Sequence, residues 1–185
     1  MKILLHTCCG PCTIYPLHKL REERHQVQGY FYNPNIHPYT EWQQRKETLL
    51  QYAGANDFKV IVDDDYDLEG YLRGVVHRES MRCMYCYGMR LSKTARIAKH
   101  GKFDAFSTTL LVSPYQKHDL IKDIGNAISI EVGIPFYYQD FRPGYSEATD
   151  ISRRLGMYRQ QYCGCIYSEK ERYYRKKKEG SNEFP

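Results

Sequence analysis

Short apolar runs alternate with helix-forming stretches along nearly the whole chain. No other feature constrains the fold as much. Residues 2–6 form an apolar run closed by Cys8-Cys9-Gly10-Pro11-Cys12 and read as a buried strand. A helix is expected over 13–23, with Thr13 as N-cap and Pro16 confined to the first turn. Further strands are expected at 27–32, 58–62, 103–108 and 134–139. Further helices are expected at 40–53, 68–76, 82–98, 119–132, 147–155 and 168–178. The two prolines of Asn33-Pro34-Asn35-Ile36-His37-Pro38 make that segment a loop, and loops also follow strand four through Pro114 and span 140–145. Strands alternating with helices predict an α/β fold: one doubly wound, mostly parallel, Rossmann-like sheet. At 185 residues the chain suits one domain over 1–185, closing in a basic helix at about 167–178. Roughly the last five to eight residues are expected to fray.

Lys plus Arg is 27 against 22 Asp plus Glu, so the net charge is +5, which suits an anionic partner without requiring one. No apolar run is long enough for a membrane span, and His6, Thr7 and Cys8 interrupt the apolar start that a secretory signal needs. The chain therefore reads as cytoplasmic, with no membrane partner. Seven cysteines is a high count for a reducing compartment, and an odd one. Structural disulfides are a poor explanation there; metal binding or redox chemistry is a better one.

Three thiol groups carry that chemistry. Cys8, Cys9 and Cys12 sit where the first strand turns into the first helix, the edge at which doubly wound sheets bind ligands. Cys83-Met84-Tyr85-Cys86 is a C-x-x-C whose thiolates can converge on one metal or form a redox pair; Arg82 and Arg90 flank it and could offset thiolate charge. Cys163-Gly164-Cys165 is too tight to chelate one ion well but can form a strained, oxidising disulfide. The count is four ligands, two redox thiols and one spare. Sulfur-only ligation suits zinc or an iron–sulfur cluster, and only the cluster would give Cys163 and Cys165 an electron partner, which favours [4Fe–4S].

Polar candidates gather on the same edge. Asp64, in the run Asp63 to Asp65, is a candidate proton donor or ligand to a second metal, against a plain loop-capping role. Tyr115, Lys117 and His118 follow strand four, and Arg142 and Tyr145 follow strand five; these are candidate substrate-binding groups. Lys170, Arg172, Arg175, Lys176, Lys177 and Lys178, interleaved with Tyr173 and Tyr174, would suit a nucleic-acid backbone, or form a solvated helix.

Several blocks resemble the QueH-type epoxyqueuosine reductases. They are Leu5 to Cys12, Tyr32 to Pro38, Arg82 to Tyr87, Ser107 to Pro114, Asp140 to Tyr145, and Tyr162 to Cys165, in order from residue 5 to 165. The resemblance implies an iron–sulfur enzyme of adenine nucleotide hydrolase-like fold. It would reduce epoxyqueuosine at the tRNA wobble position to queuosine and water, the last step of queuosine biosynthesis, without cobalamin. It also implies Cys8, Cys9, Cys83 and Cys86 as cluster ligands and Cys163 with Cys165 as a redox-active pair.

The residues themselves leave alternatives open. Adjacent Cys8 and Cys9 are expected to point in different directions, so Cys12 could replace one of them. Cys12, or the Cys163/Cys165 pair with Asp64, could instead hold a second, mononuclear iron acting as Lewis acid. Asp64, His118 or Tyr145 could protonate the departing oxygen. The partners would be the tRNA anticodon stem-loop, its modified base turned out of the stack, and an unidentified electron donor. Two rivals remain at this stage: an ATP-dependent tRNA thiolation-type enzyme, which the Cys8 loop disfavours because it lacks a Ser-Gly-Gly phosphate cradle, and a non-catalytic zinc-stabilised RNA-binding module.

Overall fold

The computed structural model describes residues 1–174. Four strands form one parallel sheet: β1 (Lys2–His6), β2 (Gln26–Phe31), β3 (Val60–Val62) and β4 (Ala105–Thr108), in the order β3-β2-β1-β4. Ile3 pairs with Val27 on one side and Ala105 on the other, so β1 is central. Its Ile3, Leu4 and Leu5 are wholly buried, as expected for a strand covered on both faces.

Helices α1 (Gly10–Glu22) and α2 (Tyr39–Ala55) connect β1, β2 and β3, moving outward in one direction. The chain then returns past β1 through α3 (Leu68–Val75) and α4 (Arg82–His100) to reach β4. Right-handed crossovers moving in opposite directions place their helices on opposite faces. The packing agrees: α1 lies against α2 and α6 (Tyr145–Arg154), while α4 lies against α3 and α5 (His118–Val132). The sheet is doubly wound, and its order reverses between β1 and β4.

Three expectations are corrected. The run 134–139 is not a fifth strand; it makes one parallel bridge, Phe106 with Phe136. The Phe106 N–H donates to Pro135 O at 3.0 Å and the Tyr137 N–H to Phe106 O at 2.8 Å, but Pro135 has no N–H with which to extend the ladder. The chain instead turns to Glu23, which accepts from the Tyr137 hydroxyl and the Gln139 amide. Next, α1 starts at Gly10 with Cys9 as N-cap, not at Thr13, and Pro16 lies inside the helix. The Thr13 hydroxyl instead donates back to Cys9 O at 2.8 Å. Finally, α7 (Ile166–Tyr173) is shorter than the expected terminal helix. Arg175, Lys176, Lys177 and Lys178, and the expected frayed end, lie outside the described residues.

Close packing fixes how α5 meets the sheet. A Cβ at Gly125 would stand 2.4 Å from the Phe136 ring. Gly125→Ala should therefore lower stability by about 1–3 kcal/mol through overpacking, read as a fall in melting temperature. An unchanged or raised melting temperature would contradict this packing.

Candidate metal centre and adjoining cavity

The loop after β1 and the loop after β4 meet where the strand order reverses. The Cys8 N–H donates to the Thr109 hydroxyl at 3.2 Å, and that hydroxyl donates to Cys8 Sγ at 3.4 Å. Beneath them His6 is buried, with its ring between the Thr108 hydroxyl and Tyr32 O. Burial brings its pKa down to about 4, so it is neutral near pH 7.

Cys8 and Cys9 do not diverge. Cys9 is the extended N-cap of α1 (φ −172°, ψ 168°), so the strand's alternation ends before it, and the two Sγ atoms lie 3.8 Å apart. Cys12, one turn on, completes a group whose sulfurs all lie within 4.8 Å of one another. Hydrogen bonds from Cys12 and Cys9 hold the Cys8 thiol well below its usual pKa, and the bonds to Cys8 and Cys9 push Cys12 up. The Gln160 amide donates to Cys12 Sγ at 3.4 Å.

The second group forms on the other helix layer. Cys83 and Cys86 lie on the first turns of α4, and a cavity of about 30 Å³ is lined by both together with Cys163 and Cys165. Cys163 also lines a larger cavity of about 560 Å³ that reaches Cys8 and Cys12, so it stands between the two groups. All seven cysteines are free thiols, with Cys163 exposed and Cys165 buried. Hydrogen bonds to Cys165 from Cys163 and Ser168 outweigh burial and bring its pKa down to about 5, whereas burial pushes Cys86 up to about 11.

Two buried arginines frame these thiols. Arg90 is 3% exposed; its guanidinium donates to Cys86 Sγ at 3.0 Å and Cys86 O at 3.1 Å, and no carboxylate pairs with it among the described residues. A buried cation needs a buried anion; the acidic groups beside it among the described residues are thiols and the Tyr87 hydroxyl, which burial keeps protonated. The donor set therefore fits a thiolate-bound metal.

Arg45, 1% exposed, pairs with Glu41 at 2.7 Å and donates to Tyr162 O and Cys163 O at 3.0 and 3.1 Å. The 33–38 loop grips the same segment: His37 N–H donates to Gly164 O at 2.8 Å, and Ile166 N–H donates to His37 Nδ1. Gly164 has φ +127°, and a Cβ there would meet Ile36 Cγ1 at 3.0 Å and Arg45 Nη1 at 3.2 Å. Gly164→Ala should destabilise the chain by about 1–3 kcal/mol and displace both neighbouring thiols. Thermal unfolding and the rate of thiol alkylation check this; wild-type values in both would refute it.

The remaining candidates divide. Tyr115 and Tyr145 line the larger cavity, with their rings edge-to-face at 5.9 Å. Lys117 is exposed and His118 buried, and neither lines a described cavity. Arg142 is held by Asp140 at 2.6 Å on the surface. Asp64 is not brought to the thiols. It is exposed and pairs with Lys46 at 2.7 Å, because β3 ends at the sheet margin, two strands from Cys8. Sequence reasoning missed Arg45, Thr109 and the gripping role of His37. The polar residues of the proline-bounded loop were the available signal, and all three of Asn33, Asn35 and His37 are buried.

Fold and site together define a Rossmann-like α/β protein with a buried polythiol centre at the carboxyl edge of its sheet. A family model described as epoxyqueuosine reductase QueH matches residues 3–171. The chain is 40% identical over 172 residues to epoxyqueuosine reductase QueH of Dehalococcoides mccartyi, covering 93% of this chain and 94% of the relative. It is 34% identical over 181 residues to the protein of the same name from Thermotoga maritima, covering 92% and 91%. The chain belongs to the epoxyqueuosine reductase QueH family. A solved structure of a predicted subunit of tRNA methyltransferase from Methanocaldococcus jannaschii shares the fold, with a TM-score of 0.56 at 13% identity over 83% of this chain and 74% of that one. Neither rival reading, thiolation enzyme or structural-zinc module, is favoured by these relatives.

Proposed function

We propose that this protein is a cobalamin-independent oxidoreductase of the cytoplasm, folded as one domain, that reduces epoxyqueuosine at the wobble position of tRNA to queuosine. The observation that carries this reading is the gathering of six thiols around two cavities that share Cys163, with Cys9 grouped beside Cys8 and Cys12, and a buried Arg90 whose guanidinium donates to Cys86 Sγ.

Removing an epoxide oxygen breaks two C–O bonds, forms a C=C bond, and consumes two electrons and two protons to release water. Cys8, Cys9, Cys83 and Cys86 are assigned as ligands of a [4Fe–4S] cluster, with Cys12 the donor to a second, mononuclear iron. When bound, the cluster supplies electrons one at a time. Cys163 and Cys165 can supply the same total: two thiols oxidised to a disulfide release two electrons and two protons, and an external donor of electrons must restore them. Cys163 lines the larger cavity, so one member of that pair faces the substrate space. At about 560 Å³ that cavity is within the range that holds a nucleoside-sized ligand. Burial raises the Tyr145 pKa, so its hydroxyl stays protonated and can donate to the epoxide oxygen. Asp64 and His118 line no described cavity, which leaves Tyr145 as the proposed donor.

The test is anaerobic purification with iron and acid-labile sulfide analysis, then reduction of epoxyqueuosine-containing tRNA followed by nucleoside mass spectrometry. About four irons and four sulfides per chain with conversion to queuosine are expected, and iron in excess over sulfide if the second ion is present. Zinc without labile sulfide and no conversion would overturn the proposal.

A further inference from the structure

The larger cavity has a polar rim that the thiol chemistry does not use. Its lining includes Tyr115, Tyr145, Arg159 and Arg172. The other arginines lining the two cavities are engaged: Arg45 by Glu41, Arg82 by Glu171 and Arg90 by Cys86. Arg159 and Arg172 have no carboxylate partner among the described residues, although both line a concave surface. Arg159 is also half-buried, in the 156–165 connection whose next residue, Gln160, reaches Cys12. A half-sequestered guanidinium without an internal anion is prepared for an external one. Its planar fork matches phosphate.

Tyr115 adds an independent observation. It is 82% exposed, lines the cavity and meets the Tyr145 ring in an edge-to-face arrangement at 5.9 Å. An exposed aromatic beside unpaired cations is the usual combination for holding single-stranded nucleic acid: stacking for bases, cations for the backbone. The cavity floor carries Cys8, Cys12 and Cys163, so a nucleotide reaching the thiols must leave its own stack and bring its flanking phosphates to the rim.

We propose that Arg159 and Arg172 grip the phosphates flanking the extruded nucleotide and that Tyr115 stacks on the neighbouring base. This rests on the reading of the chain as a tRNA-acting reductase and goes beyond it. It assigns the clamp to the cavity rim, with Arg159 on the 156–165 connection and Arg172, from the basic terminal run, on α7. It also makes a strand with phosphate on both sides of the modified nucleoside the preferred ligand.

The test uses the intact, anaerobically prepared protein and a fluorescent anticodon stem-loop RNA, with binding measured across a salt series. Arg159→Gln should weaken binding roughly tenfold and shallow the salt dependence by about 0.7–0.9 in log–log slope, the share of one phosphate contact. Arg159→Lys should keep the slope while losing part of the affinity. Tyr115→Ala should weaken binding by a similar factor with the slope unchanged, and Tyr115→Phe should restore it. The visible absorbance of each variant reports an intact centre. Wild-type affinity and slope in Arg159→Gln, with the stem-loop still bound by the unmodified protein, would overturn the clamp alone. Failure of the unmodified protein to bind the stem-loop at all would overturn the functional reading and the clamp with it.

Discussion

Anaerobically purified Cys83→Ala should retain its helical circular dichroism but lose bound iron, labile sulfide and visible absorbance. Its turnover of epoxyqueuosine-containing tRNA should fall more than about a thousandfold. Cys83 is the informative member of its C-x-x-C pair. It lies on the first turn of α4 and is only partly buried, so truncation opens little space in the core. Cys86 is buried and bonded to Arg90, so changing it would mix ligand loss with core damage. A Cys83→Ala protein with normal colour and activity would remove Cys83 from the ligand set and leave the Cys8, Cys9 and Cys12 group as the remaining centre.

The second large effect is expected at Arg90. Arg90→Leu keeps the bulk of the side chain but removes the guanidinium that donates to Cys86 Sγ. If the thiols carry negative charge in the folded protein, the change leaves that charge buried and uncompensated. The cost would be about 3–5 kcal/mol, a melting temperature lower by roughly 10 °C for a chain of this size. Iron should also be retained poorly. Arg90→Lys should fall between, because an ammonium keeps the charge but cannot bond Cys86 O and Sγ together as the fork does. Differential scanning calorimetry and metal analysis decide the matter. A more stable Arg90→Leu protein would mean that the sulfurs are neutral and that the buried guanidinium is a net cost.

Much of the architecture was legible in the chain itself. Ile3-Leu4-Leu5 followed by Cys-Gly-Pro marks a central parallel strand and its ligand-binding turn, because a strand buried on both faces cannot alternate. The order of strands and helices then leaves few topologies once crossovers must be right-handed. The grouping of Cys8, Cys9 and Cys12 was also legible, since their spacing puts all three at one strand-to-helix turn.

What sequence could not settle were distances and partners. The helix spacing of Cys83 and Cys86 says that they share a face, but not that Cys163 and Cys165 arrive beside them from the far end of the chain. Asp64 ends a strand just as Cys8 nearly does, yet β3 lies two positions from β1, and that displacement makes it a surface ion pair with Lys46. Arg45 looks like any charged residue of an amphipathic helix until the Cys163 loop folds over it and takes two of its donors. The chain alone thus determined which elements form, how they wind and which side chains have sulfur or charge to offer, because those follow from local periodicity and composition. The tertiary structure decided which of them meet. The meeting of Cys86 and Arg90 with Cys163 and Cys165 in one cavity depends on contacts between residues more than seventy positions apart, and no local rule reports those contacts.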